Sequence, residues 1–80
     1  MMFKYNIHKE ADNSKYKAAC VAIESNIENL NIEKPLVDVD GSMIQIYSSG
    51  NKRIKVYNDY EVDAVYIDSD INLDDLFKAS

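Results

Sequence analysis

Phe3, Tyr5 and Ile7 alternate with Lys4, Asn6 and His8, the period-two pattern of a strand that buries one face. From Asp12 the period lengthens. Tyr16, Ala19, Cys20, Ile23, Ile27 and Leu30 recur at steps of three and four, which predicts one helix with a continuous apolar stripe. Asp12, Asn13 or Ser14 can cap its start, and Lys34-Pro35 marks the chain beyond its end. Alternation then returns, with Val37 and Val39 against Asp38 and Asp40 ahead of a turn at Gly41-Ser42. Ile44 and Ile46 alternate with Gln45 and Tyr47 before a second turn, Ser48-Ser49-Gly50-Asn51. Ile54 and Val56 follow, opposed by Arg53, Lys55 and Tyr57, and Asn58-Asp59 reads as a turn or a bulge. Residues 60–68 read as the last strand, with a shift of register in the middle that implies two partly covered faces. Leu73, Leu76 and Phe77 then stand at helical spacing, with Asn72 and Asp75 as a capping pair. The predicted class is α+β in the order β-α-β-β-β-α. Its sheet is mostly antiparallel, with the long helix on one face and a short C-terminal helix.

Eighty residues that are 46% apolar make one domain across residues 1–80. A chain of this size buries only about 60–65% of the surface its unfolded form exposes, so a second copy or another protein covering one face would add materially to stability. A homodimer is therefore one expected state. The single cysteine, Cys20, excludes an intrachain disulfide and cannot alone supply a zinc site. No run approaches the ~20 apolar residues of a membrane span, and the start of the chain, from Met1 to Asn6, lacks the apolar core of a signal peptide. The expected location is the cytoplasm.

Charge changes the picture most. The net charge is −5, which argues against direct nucleic-acid binding, because neutralising phosphates requires an excess of Lys and Arg. Residues 1–34 carry five bases and five acids, while residues 35–80 carry four bases and nine acids, so the second half holds the whole excess. Asp59, Glu61, Asp63, Asp68, Asp70, Asp74 and Asp75 form a run with no Lys or Arg among them. On a strand, alternate residues lie about 6.6 Å apart on one face, so Asp59, Glu61 and Asp63 would line up as a row of like charge. A solvated face kept for solubility accounts for such a row. So does a match to a basic surface on another protein, above all one shaped to hold a phosphate backbone.

Other chemistry is thinner. Asp68, Asp70, Asn72 and Asp74 stand at every second residue, as in a calcium loop, but Leu73 takes the place of the required glycine and Ala79 that of the bidentate glutamate. No metal or cofactor is expected. His8 falls on the polar side of the first strand and Cys20 inside the apolar stripe, so neither reads as a catalytic group, and the chain is expected not to be an enzyme. Tyr47 and Tyr57 fall opposite the isoleucines beside Arg53 and Lys55, a composition favoured at protein interfaces.

From the long helix to the tail, the order of helix, three strands and helix resembles that of double-stranded-RNA-binding domains. Asn72, Leu73, Asp74 and Asp75 stand where those domains present basic residues, so RNA binding is not implied. In size and acidity the chain resembles small phage-encoded inhibitors of host defence, such as anti-CRISPR and anti-restriction proteins. The expected function is a non-enzymatic inhibitor that mimics nucleic acid. It would use the carboxylates between 59 and 75, with Asp38 and Asp40, to occupy a basic site on a nucleic-acid-handling enzyme. The alternatives are an immunity protein or antitoxin against a basic nuclease, and an assembly subunit that dimerises through its sheet face.

Overall fold

The structure, a computed structural model, describes residues 2–77. Met1 and Ala79, which enter the N-terminal and calcium-loop readings, lie outside them. The chain runs β1 (Phe3–His8), α1 (Asn13–Asn26), the two-residue strands β2 (Asn31–Ile32) and β3 (Leu36–Val37), then β4 (Met43–Ser49), β5 (Lys52–Asp59), β6 (Ala64–Ser69) and α2 (Asp74–Phe77). The sheet order is β1-β6-β5-β4-β2, with β3 also paired to β4, and every pair is antiparallel. The class is α+β. The predicted order is present in β1, α1, β4, β5, β6 and α2, with β2 and β3 as short additions along β4. Among the described residues, no helix is long and apolar enough to cross a membrane.

Asp12 caps α1 from an extended backbone, its carboxylate accepting from the Lys15 amide at 3.0 Å. Its own amide donates to the side-chain oxygen of buried Asn58 at 3.0 Å, which ties the helix entry to β5. Tyr16, Ala19 and Ile23 are the buried face. The helix ends at Asn26, short of the apolar stripe. Asn26 turns its amide onto the Ala22 carbonyl at 2.7 Å, Ile27 is extended, and Asn29 takes a φ of 61°. Ile27 and Leu30 still pack against the core, but from the connecting segment rather than from a helix.

The β4–β5 hairpin pairs Ser49 with Lys52 and leaves Gly50-Asn51 as a two-residue turn in which Gly50 takes a φ of 62°. In register, Tyr47 lies against Ile54, and Val56 against Ile67. These four and Val65 are fully buried under α1, each such aliphatic side chain contributing about 1.5–3 kcal/mol. The inward residues of β4 are thus Met43, Gln45 and Tyr47, the reverse of the expected Ile44 and Ile46. Both faces of that strand are apolar enough that alternation could not choose between them. The last strand also differs from expectation. It starts at Ala64, and residues 60–63 form a turn in which Asp63 has a φ of 57°. The Asp59 carboxylate holds that turn, accepting from the amides of Glu61 at 2.9 Å and Val62 at 3.3 Å.

Beyond β6 the chain folds back over the core at Leu73, which is 2% exposed. The Leu73 amide donates to the Tyr5 hydroxyl at 2.7 Å, and that hydroxyl donates to the Asp74 carboxylate at 2.8 Å. Tyr5 and Phe77 bring their rings to 6.0 Å, so one aromatic residue of β1 anchors the whole of α2.

Candidate functional site

The acidic run does not form one row. Because residues 60–63 turn back on themselves, Asp59, Glu61 and Asp63 sit at one end of the β5–β6 hairpin, while Asp68 and Asp70 sit at the other, about 20 Å away along β6. Asp74 and Asp75 open α2. Several of these carboxylates are bound within the fold. Asp59 also accepts from the Tyr66 hydroxyl at 2.9 Å, and Asp63 accepts from the Ala11 amide at 2.9 Å. Asp70 accepts from the Arg53 amide at 3.1 Å, and Asp74 holds Tyr5. Asp68 lies in register between Lys4 of β1 and Lys55 of β5, with the Lys4 ammonium 3.7 Å from its carboxylate.

A different grouping appears where the strands end. Met43 pairs with Asn58, which places the turn before β4 beside the turn after β5. Residues 38–42 form the first turn, its backbone closed by the Asp38 amide on the Ser42 carbonyl at 2.8 Å and by the Gly41 amide on the Asp38 carbonyl at 3.0 Å. It is not the continuing strand that the Val37/Val39 alternation suggested, since β3 stops at Val37. The Ser42 amide donates to Asp40 at 2.9 Å and holds that carboxyl below its ordinary range. Gly41 has a φ of 89°, and a β-carbon there would lie 3.6 Å from the Tyr60 ring. The Tyr60 amide donates to the Ser42 hydroxyl at 2.9 Å, locking the two turns together.

Between them lies a groove of about 320 Å³. Leu36, Val37, Met43, Ile44 and Tyr57 contribute its apolar lining, and Asp38, Asp40, Asp59 and Glu61 contribute four carboxylates. Among the described residues, no Lys or Arg lines it. Leu36 and Val37 are also exposed, as are Tyr60 and Val62 beside the groove, and Val39 is fully so. An apolar surface interleaved with acids is complementary in chemistry to apolar and basic groups presented together. Among the described residues, no three His, Cys, Asp or Glu side chains converge as a metal site.

The tyrosines separate into two roles. Tyr57 does lie on the sheet face away from α1, stacked on Tyr66 with ring centroids 4.6 Å apart and planes at 10°. Tyr47, expected beside it at an interface, is instead 0% exposed in the core, and its hydroxyl donates to the Glu24 carboxylate at 2.5 Å. A one-residue change in which face of β4 is buried accounts for the difference. Burial also pushes the Cys20 thiol up, away from the reactive thiolate.

The groove's apolar rim was hidden in the sequence. Val37 and Val39 read as a strand's buried side, and Tyr60 and Val62 as part of the next strand, although the glycine at 41 and the aspartates flanking it signalled a turn. No protein-family model, curated protein or solved structure matches the chain.

Proposed function

We propose that this chain is a non-enzymatic binding protein that presents the groove between its 38–42 and 59–63 turns to a basic surface of another protein. The partner surface is one that handles nucleic acid, and the chain inhibits it by taking the place of the phosphate backbone. The observation that carries this reading is the convergence of Asp38, Asp40, Asp59 and Glu61 on one groove lined by no described Lys or Arg, from two segments about twenty residues apart in sequence. A phosphate-binding surface is rich in Lys and Arg, and it meets these carboxylates with complementary charge. The exposed Val39, Tyr60 and Val62 add the apolar contact that phosphates lack.

Glu61 is the residue of choice for a test, because it is exposed and its carboxylate is not one that closes a turn. The immobilised chain, incubated with cell extract in low salt, retains a basic nucleic-acid-binding protein and releases it as salt rises. The purified partner then loses DNA or RNA binding in competition with the wild-type chain. Glu61→Lys weakens that competition, while Glu28→Lys, on the exposed segment after α1, leaves it unchanged. Equal effects at Glu61 and Glu28, or retention of no basic protein, refute the reading.

A further inference from the structure

We propose that the sheet face opposite α1 is closed by a second copy of this chain, forming a two-fold dimer. α1 and Leu73 cover one face of the sheet, while Ile44 and Ile46 of β4 and the stacked Tyr57 and Tyr66 point from the other and are only partly buried. Charge on this face is graded along β5. Alternate residues of a strand share a face, so Arg53, Lys55, Tyr57 and Asp59 follow one another on it over about 20 Å. At the Arg53 end Lys4, Lys55 and Arg53 outnumber Asp68 and Asp70 by one charge, while the Asp59 end is acidic. The gradient continues past Asp59 into the groove with Glu61.

That gradient makes the face self-complementary in one orientation. When two such faces meet, a two-fold axis lying in the interface and parallel to β5 sets Arg53 against Arg53 of the other copy. An axis in the interface and perpendicular to β5 runs the two β5 strands antiparallel, with Val56 at the centre. Arg53 of each copy then lies over Asp59 and toward Glu61 of the other, and the tyrosine pairs and β4 isoleucines meet at the middle. Charge therefore selects the second axis, and each contact is made twice. A standard interface removes about 800 Å² per copy, roughly one seventh of the chain's 5472 Å² surface. A domain of 80 residues gains from that added burial. This inference goes beyond the proposed function, since it concerns the chain alone. It also implies that a basic partner entering the groove displaces the Arg53 end of the second copy.

Sedimentation velocity on the full chain tests it without any partner. The wild type sediments as a dimer that dissociates on dilution and as salt is raised. Arg53→Glu and Glu61→Arg each raise the dissociation constant by at least about tenfold, because each places like charges together at two symmetric contacts. An equimolar mixture of the two variants restores much of the dimer, because one contact of the mixed pair is then the wild-type one and the other sets the carboxylate introduced at 53 against the guanidinium introduced at 61, beside the unchanged Asp59. Ile46→Asp, checked by circular dichroism to be folded, abolishes the dimer alone and in the mixture. A wild-type chain that stays monomeric at every concentration overturns the proposal, as does a dimer indifferent to both charge reversals or a mixture that fails to restore it.

Discussion

Replacing Tyr5 by Phe removes one oxygen and leaves every ring contact in place. That oxygen accepts from the Leu73 amide at 2.7 Å and donates to Asp74 at 2.8 Å. Leu73 is 2% exposed, so its amide cannot turn to water, and an orphaned buried donor costs about 1–3 kcal/mol. Asp74 is only half-buried, so water replaces much of the second bond. The net expectation is a loss of about 2 kcal/mol. For a domain of this size, that lowers the melting temperature by roughly 8–16 °C. Urea unfolding followed by circular dichroism should show an earlier midpoint with an unchanged slope, because the surface exposed on unfolding is the same. Hydrogen exchange at the Leu73 amide should accelerate as α2 loses its anchor. A Tyr5→Phe chain within about 0.5 kcal/mol of wild type, the range of ordinary surface changes, would refute the reasoning that this hydroxyl holds the tail.

The two tyrosines that looked alike in sequence should behave differently. Tyr47→Phe is expected to cost about 1 kcal/mol through the lost bond to Glu24, and Tyr47→Ala about 3–5 kcal/mol through the cavity it leaves. Tyr57→Phe, which keeps the stack on Tyr66, should stay within about 0.5 kcal/mol, and chemical denaturation of the three variants checks the order. The protein should also be labile in alkali. Burial raises the hydroxyls of Tyr16 and Tyr66 from 10.0 to about 12, and burial raises Tyr5 and Tyr47 as well. A raised folded-state value means that the native chain holds these protons more tightly than the unfolded chain. Their stabilising contribution is complete below pH 10.0 and is lost as the pH climbs toward about 12. Tyrosinate absorbance should therefore rise together with the loss of circular dichroism, and ionisation of all the tyrosines near pH 10.0 in a still-folded chain would contradict the assignment.

Local periodicity determined a good deal of this protein. The alternation of Phe3, Tyr5 and Ile7, the three-and-four spacing from Tyr16 to Ile23, and the turn at Gly50-Asn51 each express a preference that a short stretch of chain satisfies by itself. Asp12 as a helix cap belongs with them, since its partner is the amide three residues on. Where two neighbouring segments were both apolar, the pattern could not decide. β4 offers Ile44 and Ile46 on one side and Met43 and Tyr47 on the other. α1 settles the choice by covering the tyrosine, whose hydroxyl reaches Glu24. Likewise Tyr60 and Val62 continue an alternation that reads as strand, and only the Asp59 carboxylate, gathering two amides, shows that the chain turns there.

The charges show the same division. That the second half of the chain carries the whole acidic excess is a property of the sequence. Which carboxylates face one another depends on strand pairing, because charge interactions are screened beyond about 10 Å and sequence neighbours on a hairpin can end about 20 Å apart. Pairing Met43 with Asn58 carries Asp38 and Asp40 to Asp59 and Glu61, while the length of β6 takes Asp68 and Asp70 away. The sequence determined that this would be an acidic domain, and the antiparallel register of β4 and β5 decided where its acids converge.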